Sequence, residues 1–237
     1  MSTRSTSRHA SYFPSERKAL LRRRLIGLGL ALLAFALLHL LDRWLFLALK
    51  VENLGEVESK AWYQILRQTG DVRTWLLVAL VLASHMLWSN LRALPVPRIH
   101  PGAIAGIVAS PIIAGLIAEL LKLILGRERP ADSQTGEYQH YVFKGLMRGF
   151  VDSSNLGLPS SHAAVAFGAA FILGRAFPGA GLILIPVAAG CALTRMLAGR
   201  HFATDVVLGA IVGWLSALLV ARALRRLMPG AFAKRAG

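Results

Sequence analysis

Residues 103–126, AIAGIVASPIIAGLIAELLKLILG, hold only two ionisable side chains, Glu119 and Lys122. A helix of that length rises about 36 Å, more than the roughly 30 Å hydrocarbon core of a bilayer. Five further apolar stretches lie at about 25–41, 74–91, 160–177, 180–197 and 206–221, each compatible with a buried or membrane-crossing helix. The 237 residues are 55% hydrophobic and 16% charged, and mean hydropathy is +0.53, well above a water-soluble domain. The sequence therefore predicts an all-α integral membrane protein, a bundle of six transmembrane helices over 25–227. A flexible basic tail over 1–24 precedes it and a short tail over 228–237 follows. The run after Leu25 follows a basic flank as a signal peptide does, but its small-residue pair, Ala34 and Ala36, lies inside the apolar stretch, so it reads as a retained span. A single cysteine, Cys191, excludes an intrachain disulfide and a thiolate metal cluster.

The formal net charge is +15, from 27 Lys and Arg against 12 Asp and Glu, which in a soluble domain would point to nucleic acid. Its distribution points elsewhere. Six crossings put both termini on one side, together with the connections near 92–102 and 175–179. Those segments hold Arg4, Arg8, Arg17, Lys18, Arg22, Arg23, Arg24, Arg92, Arg98, Arg175, Arg222, Arg225, Arg226, Lys234 and Arg235, opposed by Glu16 alone. By the positive-inside rule both termini are cytoplasmic in a multi-pass protein of the cell membrane, and no nucleic-acid partner is needed to explain the charge. The two long external segments, 42–73 with Trp44, Trp62 and Tyr63 and 127–159 with Tyr138, Tyr141, Phe143 and Phe150, mix aromatics with charge in the way that suits the headgroup layer.

Three local patterns carry chemistry. The third apolar run ends in KLILGRERP, so Lys122 lies inside it and Arg129 and Pro130 just beyond. An ammonium at membrane depth marks a site or needs a partner, and Glu119 at i, i−3 is a partner within reach. The fourth run opens with PSSH, residues 159–162. Ser160 is a natural N-cap, and the Ser161 and His162 amides then point outward with the positive end of the helix dipole, a ready anion site. The fifth and sixth runs are joined by TRMLAGRHFATD, with Arg195, His201 and Asp205 spaced R-x5-H-x3-D. At i, i+4 a carboxylate holds one imidazole nitrogen and leaves the other open as a nucleophile. Topology brings all three patterns to the external face. Three cations, a helix N-terminus and two histidines, with no cluster of metal ligands, suit a dianion such as phosphate. His39 and His85 read as structural histidines, while Arg127, Lys144 and Arg200 are further cations available to a headgroup.

In the order K-x6-R-P, P-S-x-H and R-x5-H-x3-D, residues 122–205 resemble the signature of the type 2 phosphatidic acid phosphatase family, which shares its site with vanadium haloperoxidases. Two positions depart from it: Ser161 stands where the family usually has Gly, and Thr194 where it often has Ser. The resemblance implies that His201 attacks phosphorus and becomes phosphorylated, that Asp205 orients it, and that His162 protonates the leaving oxygen. It also implies that Lys122, Arg129, Arg195, Ser160 and the Ser161 amide hold the phosphate oxygens, with no metal and no cofactor. A site at the mouth of a membrane bundle meets lipid phosphates, so the expected substrate is a lipid phosphate monoester or pyrophosphate, hydrolysed at the outer face. A phosphotransferase passing the group from the same histidine to a lipid hydroxyl uses identical residues. A transporter of anionic lipids accounts for Glu119 and Lys122 as a midplane pair but not for the histidines.

Overall fold

The computed structural model describes residues 14–92, 99–131 and 137–232. Within them the chain forms eight α-helices: α1 (Pro14–Leu49), α2 (Leu54–Glu58), α3 (Ala61–Gln68), α4 (Val72–Leu91), α5 (Pro101–Leu125), α6 (Ser161–Ala176), α7 (Ala180–Leu197) and α8 (Ala203–Leu227). Among the described residues between α5 and α6 lie a 3-10 turn, Arg148–Phe150, and three isolated β-bridges. The chain divides into two compact units, one ending at Leu40 and one beginning at Leu41. In the first, the described part of α1 shows Leu30, Leu33, Leu37 and Leu40 outward, an apolar surface suited to lipid. Helix α1 begins at Pro14, inside the stretch expected as a tail, and residues 1–13 and 233–237 lie outside the described residues.

Among the described residues, five segments are long and apolar enough to cross a membrane: Leu32–Leu49 within α1, Val72–Leu91, Pro101–Leu125, Ala180–Leu197 and Ala203–Leu227. The expected span over 160–177 is α6, whose 16 residues rise only about 24 Å. The first apolar window also sits later than 25–41. Asp42 ends a hydropathy run, but its side chain is fully buried and paired, so the helix continues for another two turns.

Helix α6 is the centre of the second unit and packs on α5, α7 and α8. Ala163, Ala164, Ala166, Ala169 and Ala170 are all buried. A Cβ on Gly209 would lie 2.5 Å from the Ser160 carbonyl, and one on Gly213 would lie 2.6 Å from the Ala164 carbonyl. These positions need glycine because α8 meets the α6 backbone itself, the close approach that small residues permit between membrane helices. Helix ends are fixed locally: Asp71 accepts the Arg73 amide at 2.9 Å, the His100 ring nitrogen accepts the Gly102 amide at 3.0 Å ahead of α5, and Ser160 caps α6. Pro111 and Pro186 sit inside α5 and α7, as membrane helices tolerate.

Candidate active site

Helix α5 stops at Gly126, whose φ of +65° is the left-handed C-cap conformation. A Cβ there would strike the Gly145 carbonyl at 2.5 Å. The turn delivers residues 127–131 as an extended strip held on both sides. The Glu128 amide donates to the Val142 carbonyl at 2.8 Å, the Arg129 amide to Asn155 at 2.9 Å, and the Gly157 amide to Arg127 at 2.8 Å. Side chains alternate along an extended strip. Glu128 therefore turns to Asn155, 3.2 Å away, and towards Lys144 at 4.0 Å, while Arg127 and Arg129 share the other face.

On the last turns of α5, Lys122 Nζ donates to Glu119 Oε1 at 2.8 Å and to Ser161 Oγ at 2.5 Å, and Ser161 Oγ in turn donates to Glu119 at 2.5 Å. The serine that replaces the family's glycine thus joins the carboxylate and the ammonium. Ser160 is fully buried and its amide donates to the Asp205 carbonyl at 3.0 Å, tying the start of α6 to that of α8. Beside it Ser161, His162 and Glu119 line a cavity of about 390 Å³ whose wall is continued by Gly115, Leu116 and Val165. Gly70 admits His162 to this wall, since a Cβ there would lie 2.8 Å from the His162 Cβ.

The loop between α7 and α8 places His201, which is buried, with Nδ1 3.5 Å from Asp205 Oδ2. No hydrogen bond to Nδ1 is made, a loose contact of the kind that tightens when a substrate binds. Asp205 Oδ2 accepts the Phe202 amide at 2.8 Å, and Oδ1 accepts from the Arg127 guanidinium. Burial pushes His201 down to about 4; Asp205 opposes this, while the charges of Arg195 and Lys122 add to it. The imidazole is therefore neutral at pH 7, with a free lone pair. Arg195 is buried at the end of α7, and Arg129 is partly buried. Neither has an ion-pair partner among the described residues, and the Nε of each is buried without an acceptor. Burial, with Arg200 nearby, holds the Arg129 guanidinium below its ordinary value. Buried donors that lack an acceptor are costly, and an incoming anion would satisfy them. No group of three or more His, Cys, Asp or Glu among the described residues is arranged to hold a metal ion.

Contacts thus join Lys122 to Ser161, Ser160 to Asp205, and Asp205 to His201; His162 shares the cavity with Ser161. The three extra cations separate. Lys144 is bound by Asp152 at 2.5 Å and by Ser154, Arg200 is exposed, and Arg127 is buried against Asp205. The aromatics of 42–73 and 127–159 also divide. Tyr63 is buried, its hydroxyl 3.3 Å from the Thr194 carbonyl, and Tyr141 packs on Phe202 with ring centroids 5.0 Å apart. Trp44, Trp62, Phe143 and Phe150 are exposed.

Helices with an apolar exterior, together with two arginines lacking ion-pair partners among the described residues and a buried histidine, are those of a membrane protein with a polar cluster in its interior. The PAP2 superfamily model matches residues 103–229, and the chain belongs to that superfamily, the family its three motifs resemble. Among curated proteins it is similar to the lipid A 1-phosphatases of Rhizobium etli and Rhizobium johnstonii. Each is 34% identical over 111 residues, 45% of this chain and 44% and 42% of theirs respectively. The chain thus matches less than half the length of these relatives. Among solved structures, the crystal structure of Aquifex aeolicus LpxE is 18% identical, with a TM-score of 0.37, over 68% of this chain and 92% of that one.

Proposed function

We propose that the protein is a lipid phosphatase that hydrolyses a phosphate monoester or pyrophosphate of a membrane lipid through a phosphohistidine. The carrying observation is the pairing of a buried, neutral His201 with Asp205 next to cations that lack carboxylate partners. The His201 Nε2 lone pair attacks phosphorus in line; the bond from phosphorus to the lipid oxygen breaks, and His162 gives that oxygen a proton. Lys122, Arg129 and Arg195, with Ser160 and the Ser161 amide, hold the equatorial oxygens, where stabilising charge does most of the work in phosphoryl transfer. Asp205 stabilises the charge that His201 gains. Water, deprotonated by His162, then attacks phosphorus, releasing inorganic phosphate and restoring the neutral ring. The apolar wall of the cavity beside His162 favours a lipid leaving group, and the names of the rhizobial relatives agree with one.

The test is phosphate release by purified protein in detergent from phosphatidic acid, phosphatidylglycerol phosphate, polyprenyl pyrophosphate and lipid A. At least one should be hydrolysed, equally well after prolonged EDTA treatment. Hydrolysis of none would reject the reading, and loss on EDTA restored by a divalent cation would replace it with a metal mechanism.

Helix α6 is taken as the sixth, shortened crossing, entering from the floor of the site. Both termini are then cytoplasmic and the site faces outward. Ser153 is exposed in the segment between α5 and α6, and the native Cys191 is buried. In right-side-out membrane vesicles an impermeant maleimide should label Ser153→Cys, and C-terminal reporter fusions should read as cytoplasmic. Labelling that appears only after the vesicles are opened would reverse the orientation.

A further inference from the structure

Four side chains behind His201 form one buried chain of hydrogen bonds, and its far end lies outside the 103–229 segment that defines the superfamily match. Asp42 on α1, Thr204 and Asp205 are fully buried, and Arg127 nearly so. The Thr204 amide donates to Asp42 Oδ1 at 3.0 Å, and the Thr204 hydroxyl donates to Asp42 Oδ2. Having given its proton to Asp42, that hydroxyl has only lone pairs to offer, and it accepts from the Arg127 guanidinium at 2.8 Å. The same Arg127 terminal nitrogen donates to Asp205 Oδ1. The Tyr141 hydroxyl adds a donor to Asp42 at 3.3 Å. The rings of Tyr141 and Phe202 lie 5.6 and 5.1 Å from the guanidinium carbon, close enough to hold the cation by its faces.

We infer that Asp42 and Arg127 are positioning residues for phosphoryl transfer, acting through Thr204 and Asp205 to set the His201 tautomer. With Asp205 Oδ1 committed to Arg127 and the Phe202 amide on Oδ2, the remaining capacity of Oδ2 faces His201 Nδ1 at 3.5 Å. That placement favours a proton on Nδ1 and leaves Nε2 bare for attack. Asp42 is needed because it fixes the direction of the Thr204 hydroxyl. Without a carboxylate there, the hydroxyl is free to turn its proton on Arg127, and the guanidinium loses a neighbour that keeps its fork on Asp205.

The inference rests on the proposed histidine mechanism, so the experiment has one readout that needs turnover and one that does not. Asp42→Asn, which keeps volume and burial, is compared with wild type by steady-state phosphate release from the best lipid phosphate of the panel. It is also compared by ¹⁵N resonances of labelled histidine, with His201→Gln used for assignment. The expected result is a kcat lowered about tenfold with KM within twofold, an unchanged melting temperature, and a His201 ring that moves from one tautomer to a mixture. Should Asp42→Asn fail to fold, Tyr141→Phe removes a single hydroxyl at the same end and should lower kcat about threefold with the same spectroscopic change. Unchanged ring resonances overturn the inference whether or not the wild-type protein turns over any lipid phosphate. Failure of the wild type on the whole panel, with the tautomer still responding to Asp42, rejects the phosphatase reading, and with it the role in phosphoryl transfer, while the control of the His201 tautomer by Asp42 stands.

Discussion

His201→Ala is expected to lower lipid phosphate hydrolysis on the order of 10⁴-fold or more while leaving a folded, monodisperse protein. A covalent nucleophile has no substitute within the site, and the residual rate of such variants comes from charge stabilisation and binding alone. The imidazole makes no close hydrogen bond through Nδ1, and Asp205 keeps the Phe202 amide and Arg127 as donors when the ring is removed, so the cost to the fold is that of a small cavity. Asp205→Asn has a different signature: it weakens the orientation of the ring but retains the nucleophile, so phosphoenzyme still forms, slowly. It also takes the charged partner from the buried Arg127, and breaking such a pair costs about 3–5 kcal/mol; its melting temperature should fall where that of His201→Ala holds. The measurements are phosphate release, acid-labile phosphoprotein in a rapid quench, and thermal unfolding in detergent. Because burial holds His201 near 4, quench experiments between pH 7 and 5 should show only a small loss of nucleophile through its protonation, where an ordinary histidine would be almost wholly protonated at pH 5. Near-normal turnover by well-folded His201→Ala would end the phosphohistidine mechanism.

The site residues that the sequence makes legible are those whose relation is local. His201 and Asp205 are one turn apart, Ser160 caps the helix it begins, and Lys122 and Arg129 bracket the end of one apolar run. Each of these follows from helix geometry without knowledge of the fold. Asp42 follows from nothing local, because hydropathy scores a buried, fully bonded carboxylate the same as one in water. Its partner Thr204 is 162 residues away. Arg127 was equally hidden among three similar cations, although the two-residue spacing from Arg129 places both on one face of any extended strip, a signal available in KLILGRERP itself. The aromatics of 42–73 divided for a related reason: composition marks them as interfacial, but Tyr63 is drawn inward by a carbonyl at the end of α7. The brevity of α6 is not visible in its apolar run, which continues to Phe177. The 16 residues of the helix rise about 24 Å, less than the roughly 30 Å of a hydrocarbon core, and its first residue is fixed by the Ser160 cap and by the Ser160 amide on the Asp205 carbonyl.

Lys122→Met is expected to leave the fold intact and reduce turnover about 10²–10³-fold, the usual cost of losing one charged stabiliser of a transition state. It should also weaken inhibition by vanadate, whose five-coordinate form on His201 imitates the in-line geometry. The competing account is a structural ion pair with Glu119, and the structure gives it a testable asymmetry. The Lys122 side chain is 9% exposed and that of Glu119 is 58% exposed. A pair with one partner half in solvent is worth about 1 kcal/mol or less, so neither single replacement should unfold the protein. In Glu119→Gln the ammonium still has the Ser161 hydroxyl at 2.5 Å, and a phosphate oxygen is a better partner than the carboxylate it lost. That variant should therefore stay within about threefold of wild type, within the modest range of an exposed pair, and should bind vanadate at least as tightly, since a resident anion no longer competes for Lys122 and Ser161. Equal losses of melting temperature and of activity in Lys122→Met and Glu119→Gln would establish the structural pair and remove Lys122 from the phosphate site.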